Sequence, residues 1–253
     1  MKAGDYRERF YRAWAQAKDL YTFRISCGET DLQISALPPG RLGETWTLKL
    51  ENTAQELVRK YRTQILKTIK RFPEFLTSLQ PLALHTEFEI TDRMLEMSSL
   101  AGVGPMAAVA GAIAEFVGHD LLSIADEIIV ENGGDLFIRS MRERAVLIYA
   151  GEDSPYKNKL LLRVRGRDLP LGIASSSGRI GHSLSLGNTD VALITACSAI
   201  TADAFATAIG NLVKHADDIP QAMEFAARCK EIEGGLILIG SKLGIWGEIE
   251  LLE

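Results

Sequence analysis

Between residues 126 and 196 the chain offers six short segments rich in Val, Ile and Leu: DEIIVE, GDLFIRS, AVLIYAG, LLLRVR, LGIASS and DVALITA. Segments of this length and composition read as β-strands. Helical patterns lie before and after this region and do not alternate regularly with its strands. That arrangement predicts an α+β fold, with mixed or antiparallel sheets and packed helices, rather than a doubly wound parallel sheet. YTFRIS and TDLQISA, around CGE, read as an early β-hairpin, and GGLILIG with GIWGEIELL as a closing one.

Residues 5–19 have the pattern of an amphipathic helix. TWTLKLE alternates like a strand, and Asn52 and Thr53 are candidate N-caps of a long helix that stops before Pro73. TDRMLEMSSLAG reads as helical. GPMAAVAGAIAEFVGH reads as a helix of small residues with Pro105 in its first turn. Ala107, Ala110, Gly111 and Ala114 give that helix a face with little side-chain bulk, open to close approach. ITADAFATAIGNLV, residues 200–213, is a third apolar helix, and QAMEFAARCKE a fourth. The expectation is one domain over residues 1–253, with a looser subregion at residues 1–80.

Composition narrows the function classes. The chain is 47% hydrophobic and 24% charged, with a formal charge of −5, so no global basic signal points to nucleic acid. Arg59, Lys60, Arg62, Lys67, Lys70 and Arg71 crowd one segment and read as the solvated face of a helix. Cys27, Cys197 and Cys229 form no CxxC pair, which argues against a zinc site or a disulfide framework. Cys197 reads as core packing. The first residues lack an apolar signal core. The uncharged stretch at residues 98–114 is short and interrupted by Pro105, a poor membrane span. A soluble cytoplasmic protein is the expectation, without a membrane or nucleic-acid partner.

Four motifs carry candidate chemistry. GVGPMA, residues 102–107, matches the dinucleotide fingerprint, but that turn needs a strand before it and TDRMLEMSSLA has almost no β-branched residues. Asn132-Gly133-Gly134-Asp135 interrupts two strand candidates. It reads equally as a tight hairpin or as a bare backbone surface for a flat or phosphorylated ligand. GIASSSGRIGHSLSLG groups Ser175, Ser176, Ser177, Gly178 and His182, hydroxyls and amides that suit an anion as well as they suit a polar loop. Asp203 and Thr207 are four residues apart on one helix face. A carboxylate and a hydroxyl are hard oxygen donors suited to Mg2+. The competing reading is local: Thr201 caps the helix, Asp203 favours its positive end and Thr207 bonds back to a carbonyl.

Taken together and in order, GPMAAVAG, ENGGD, ASSSGRIGHS and ADAFATA resemble the ApbE superfamily of flavin transferases, over roughly residues 100–215. The pattern looks more like an ApbE-like branch than like the transferases themselves. The resemblance implies binding of FAD with Mg2+ and transfer of the FMN moiety to a Thr hydroxyl of an acceptor protein. Carried over by motif, it implies Asp203, Thr207 and the carbonyl of Ala107 as metal ligands. It places Gly104, Ala107, Asn132, Gly133, Gly134, Asp135, Ser175, Ser176, Ser177 and Gly178 around the nucleotide, with Ser177 and His182 as candidate catalytic groups. The chain also departs from the pattern: Ala108 stands where that superfamily has Lys, Val109 replaces its Gly, and His182 is followed by SLSLG. Loss of the Lys implies weaker binding or a changed substrate. Three readings stay open: a Mg2+-dependent transferase or FAD pyrophosphatase, a flavin- or nucleotide-binding module without turnover, and a structural relic whose Asp203 only caps its helix.

Overall fold

The computed structural model describes residues 19–40, 43–151, 154–157, 159–177 and 187–252. Its main feature is an eight-stranded sheet in the order β1-β2-β3-β4-β7-β8-β9-β10, in which every neighbouring pair is antiparallel. The strands are β1 (Tyr21–Cys27), β2 (Thr30–Leu37), β3 (Glu127–Asn132), β4 (Asp135–Ser140), β7 (Arg167–Ser176), β8 (Val191–Ala196), β9 (Ile232–Ile239) and β10 (Lys242–Gly247). A second, three-stranded antiparallel sheet has the order β11-β6-β5, from β5 (Arg144–Ile148), β6 (Leu160–Val164) and β11 (Leu251–Leu252). The segments DEIIVE through DVALITA are therefore all strands, and the fold is α+β. The mixed-sheet alternative gives way to a purely antiparallel arrangement among the described residues.

The helices are α1 (Glu44–Arg71), α2 (Glu74–Thr77), α3 (Glu89–Ala101), α4 (Val109–Leu121), α5 (Ala199–Leu212) and α6 (Ile219–Ala226), with 3-10 turns at Pro105–Ala108 and Ala216–Asp218. Helices cover one face of the large sheet and the small sheet covers part of the other. Strand β8 records both layers in its alternation. Ala192, Ile194 and Ala196 join the core under the helices, while Val191 and Leu193 pack with Leu160, Leu162 and Val164 of the small sheet. A strand buried on both faces reads as an unbroken apolar run, as VALITA does.

Several expectations are corrected. TWTLKLE is not a strand: it is the first part of α1, whose N-cap is Gly43. Trp46, Leu50, Ala54, Val58, Tyr61 and Ile65 recur at helical spacing into the core, whereas Leu48 is 62% exposed. Asn52 and Thr53 therefore lie inside the helix rather than at its start. GVGPMA follows a helix, not a strand: Gly102 ends α3 in the left-handed region at φ 73°, so no dinucleotide-binding turn forms there. Cys197 is exposed, just past the end of β8 where the sheet no longer covers it. The expected helix at residues 5–19 lies almost wholly outside the described residues. Across residue 80 the packing is continuous, since Ile65 and Phe75 share one core with Ile90, Met94 and Ile113. Among the described residues no single helix is long and apolar enough to cross a membrane.

Candidate functional site

Helices α4 and α5 meet with almost no side chain between them. A Cβ on Gly111 would lie 2.2 Å from the carbonyl oxygen of Ala199 and 2.8 Å from the Asp203 Cβ. One on Gly172 of β7 would lie 2.3 Å from the Ala199 amide nitrogen. Glycine at these positions lets α5 sit directly on both α4 and the sheet.

This closeness brings Asp203 to the start of α4. The N–H of Gly111 donates to Asp203 Oδ2 at 2.8 Å, and the Ala110 amide also bonds to this carboxyl. Both amides belong to the first turn of α4, whose N–H groups have no acceptor within the helix. The N-cap of α4, Ala108, has no side chain able to serve them, so α5 supplies the cap from across the interface. Asp203 is 9% exposed. Burial pushes its carboxyl up to about 7, against the opposing pull of the two amides. Thr207, one turn further along α5, is half-buried.

The Asn-Gly-Gly-Asp segment takes the hairpin form of the two the sequence left open. It is a two-residue hairpin, with Asn132 paired to Asp135 and with Gly133 and Gly134 at φ 72° and 108°. It also joins the same cluster. Asn132 Nδ2 donates to the carbonyl of Ala110 at 3.1 Å. The Gly134 amide donates to Glu131 Oε1 at 2.8 Å, and Asp135 Oδ1 accepts from the Ser175 amide at 3.3 Å. Gly133 is exposed, so its bare backbone faces solvent. At the end of β7, Ser175 is exposed, Ser177 Oγ donates to the Thr189 carbonyl at 3.4 Å, and Ser176 is buried with no hydrogen-bond partner for its Oγ among the described residues.

Thus Ala110, Gly111, Asn132, Gly134, Asp135, Ser175 and Asp203, from four separate parts of the chain, form one chain of contacts at one end of the large sheet. Ala107 lies in the 3-10 turn leading into α4 and is half-buried. Gly104 is placed differently: a Cβ there would lie 1.8 Å from the Ser78 carbonyl oxygen, so its missing side chain serves the packing of the loop after α2. Gly178 and His182 lie outside the described residues. Neither of two open surface depressions, one beside His119 and one beside His85, includes a residue of this cluster.

The cap of α5 also differs from the sequence reading. It is Ser198, whose side chain accepts from the Thr201 amide, while Thr201 is buried inside the helix and donates to Glu231 Oε2. No motif in the sequence singles out Glu115. Its Oε2 accepts from Ser198 Oγ at 2.8 Å and from the Ala199 and Ile200 amides at 2.6 and 3.2 Å. A Glu in the middle of a small-residue helix looks like an ordinary solvated position, and only the antiparallel crossing with α5 puts it at a helix start.

Residues 12–230 match the family model described as AbpE bacteria. The chain belongs to this family. It is 41% identical over 199 residues to a UPF0280 protein of Methanothrix thermoacetophila, covering 78% of this chain and 83% of that one. A UPF0280 protein of Methanocaldococcus jannaschii is 37% identical over 202 residues, 78% and 82% of the two chains. Among solved structures, the flavin transferase ApbE from Vibrio cholerae superposes with a TM-score of 0.53 over 90% of this chain and 96% of that one, at 13% identity. This AbpE bacteria member therefore shares the ApbE fold, in a branch whose relatives carry the UPF0280 name.

Proposed function

We propose that this chain binds a flavin nucleotide, FAD in the first instance, together with Mg2+, and acts at the nucleotide's phosphates. The observation that carries the reading is Asp203: a buried carboxylate held by backbone amides, whose charge burial opposes and no side chain among the described residues offsets. A bound cation would relieve that opposition.

The donor set fits Mg2+. The reading takes one carboxylate, Asp203, with the Thr207 hydroxyl and the Ala107 carbonyl that the ApbE resemblance implies as neutral oxygen donors. Mg2+ is typically held by one or two carboxylates, keeping sites for water and substrate phosphate. When bound, it supplies charge neutralisation on phosphate oxygens as their bond breaks.

The chain's own residues do the rest. Gly133 and Gly134 let a flat ligand approach the backbone, and the exposed Ser175 hydroxyl and the Ser176 hydroxyl, which has no partner among the described residues, are the donors offered to phosphate. Ser177 and His182 orient that phosphate, and His182 takes the proton of the attacking hydroxyl or water. Position 108 is a fully buried Ala where the ApbE pattern has Lys, so it brings no cation to the phosphates, and a bound metal would have to supply more of that charge compensation. Transfer of FMN requires a hydroxyl on an acceptor protein; without one the reaction ends in hydrolysis to FMN and AMP. The buried Ala108 also favours a second reading, a module that holds the nucleotide without turnover.

One experiment separates them: FAD binding to the purified protein with and without Mg2+, followed by chromatography of the recovered flavin. Mg2+-dependent binding with FMN and AMP recovered is the expected result. Intact FAD would select the binding module. No binding under either condition would remove flavin from the reading.

A further inference from the structure

Helices α4 and α5 cap each other. Asp203 of α5 takes the first-turn amides Ala110 and Gly111 of α4. Glu115 of α4 takes Ser198 Oγ and the first-turn amides Ala199 and Ile200 of α5, three donors on one oxygen. The two sets of contacts lie one helical turn apart along the crossing, on either side of the place where Gly111 meets Ala199 without a side chain between them. Two rigid helices touching at a bare backbone contact have little side-chain interdigitation to fix their sliding and rotation. The carboxylates supply that fixation, because each bonds only if the partner helix is in register.

We infer that Glu115 is a positioning residue: it holds the start of α5 against α4 and thereby sets Asp203 onto the Gly111 amide and Thr207 along the same face. Its hydrogen bonds go to Ser198, Ala199 and Ile200, none of which is a proposed metal or nucleotide ligand. Its effect on cation affinity rests on the proposed reading of Asp203 as a ligand; its effect on the Asp203–Gly111 bond does not.

The test uses the full chain and two readouts, backbone amide hydrogen exchange and titration with Mg2+ in the presence of FAD. The Gly111 amide has the Asp203 carboxylate as its acceptor, so its exchange reports the placement of Asp203 without any ligand. Glu115→Ala should speed exchange at Gly111 by about tenfold relative to amides of the β2–β3 pairing, the scale of one lost hydrogen bond. It should also weaken Mg2+ binding by about tenfold. Glu115→Gln keeps an acceptor oxygen and should return both to within about threefold of wild type. A purely stabilising Glu115 would raise exchange everywhere in parallel and leave Mg2+ affinity in the folded protein unchanged. Unchanged relative exchange at Gly111 in Glu115→Ala overturns the inference. Should that variant not fold, Ser198→Ala removes one donor from the same oxygen and should give a change of about threefold at Gly111, with no change overturning the inference. A wild-type chain that binds no Mg2+ sinks the proposed function, yet the exchange comparison still decides the role of Glu115.

Discussion

Asp203 is a carboxylate where burial works against its charge. Its folded value, about 7, stands above its ordinary 3.8. Between those values the folded chain holds a proton that the unfolded chain has released. This group's contribution to stability is therefore full below about pH 4 and is lost as pH rises through about 7. In EDTA, urea midpoints should fall over that range, and Asp203→Asn should flatten the fall. The same variant keeps an acceptor oxygen for the Gly111 amide, so its circular dichroism should match wild type. Its Mg2+-dependent FAD affinity, read by flavin fluorescence, should drop by about tenfold or more, the scale of a lost charged contact. Gly111→Ala tests the geometry instead of the charge. Its Cβ meets backbone at 2.2 Å, so α4 and α5 must part, with an expected loss of about 1–3 kcal/mol in urea unfolding.

At the scale of elements, the strands were legible because their apolar runs are short, β-branched and bounded by turns. The Gly-Gly hairpin was legible for the same reason, and Gly134 at φ 108° makes its demand specific. A Cβ there would be 3.7 Å from Ser175 Oγ, an ordinary contact. Gly134→Ala should therefore lose about 1–3 kcal/mol through backbone strain alone, measured by thermal unfolding. The start of α1 was misread because Thr-Trp-Thr-Leu-Lys-Leu alternates over a few residues, while the helical repeat that wins runs on from Trp46 to Ile65. The cap of α5 was misread because Thr201 and Ser198 are both good caps in sequence. Glu231 decides between them by accepting the Thr201 hydroxyl from another part of the chain. In the candidate site, Asp203, Asn132 and the serines could be picked out by residue type. The Asp203–Gly111 and Glu115–Ala199 pairings could not, because they follow from a crossing of helices that local sequence does not encode.

Over the whole molecule, the long sheet is held at its far end by an ion network. Arg144 is 11% exposed and pairs with Glu127, 4% exposed, and with Asp19 at 2.8 Å, while Arg142 reaches Asp19 at 2.7 Å. The two guanidiniums hold the Asp19 carboxyl well below its usual range, Arg144 first. Its contribution is present above about pH 4 and lost as acid protonates it, opposite in sign to that of Asp203. Arg144→Ala leaves Glu127 buried without its cation and should lower stability by about 3–5 kcal/mol in urea unfolding, with Arg144→Met/Glu127→Leu recovering most of it.

The contact between Gly111 and Asp203 joins residues 92 positions apart. During synthesis at roughly 5–20 residues per second, the start of α4 leaves the ribosome about 5–20 s before the carboxylate that caps it. Throughout that interval the small-residue face of α4 has no α5 to lie against. The nascent chain then holds α1 to α3, a growing set of strands and an apolar α4 awaiting its partner, and the candidate site forms only after α5 has emerged.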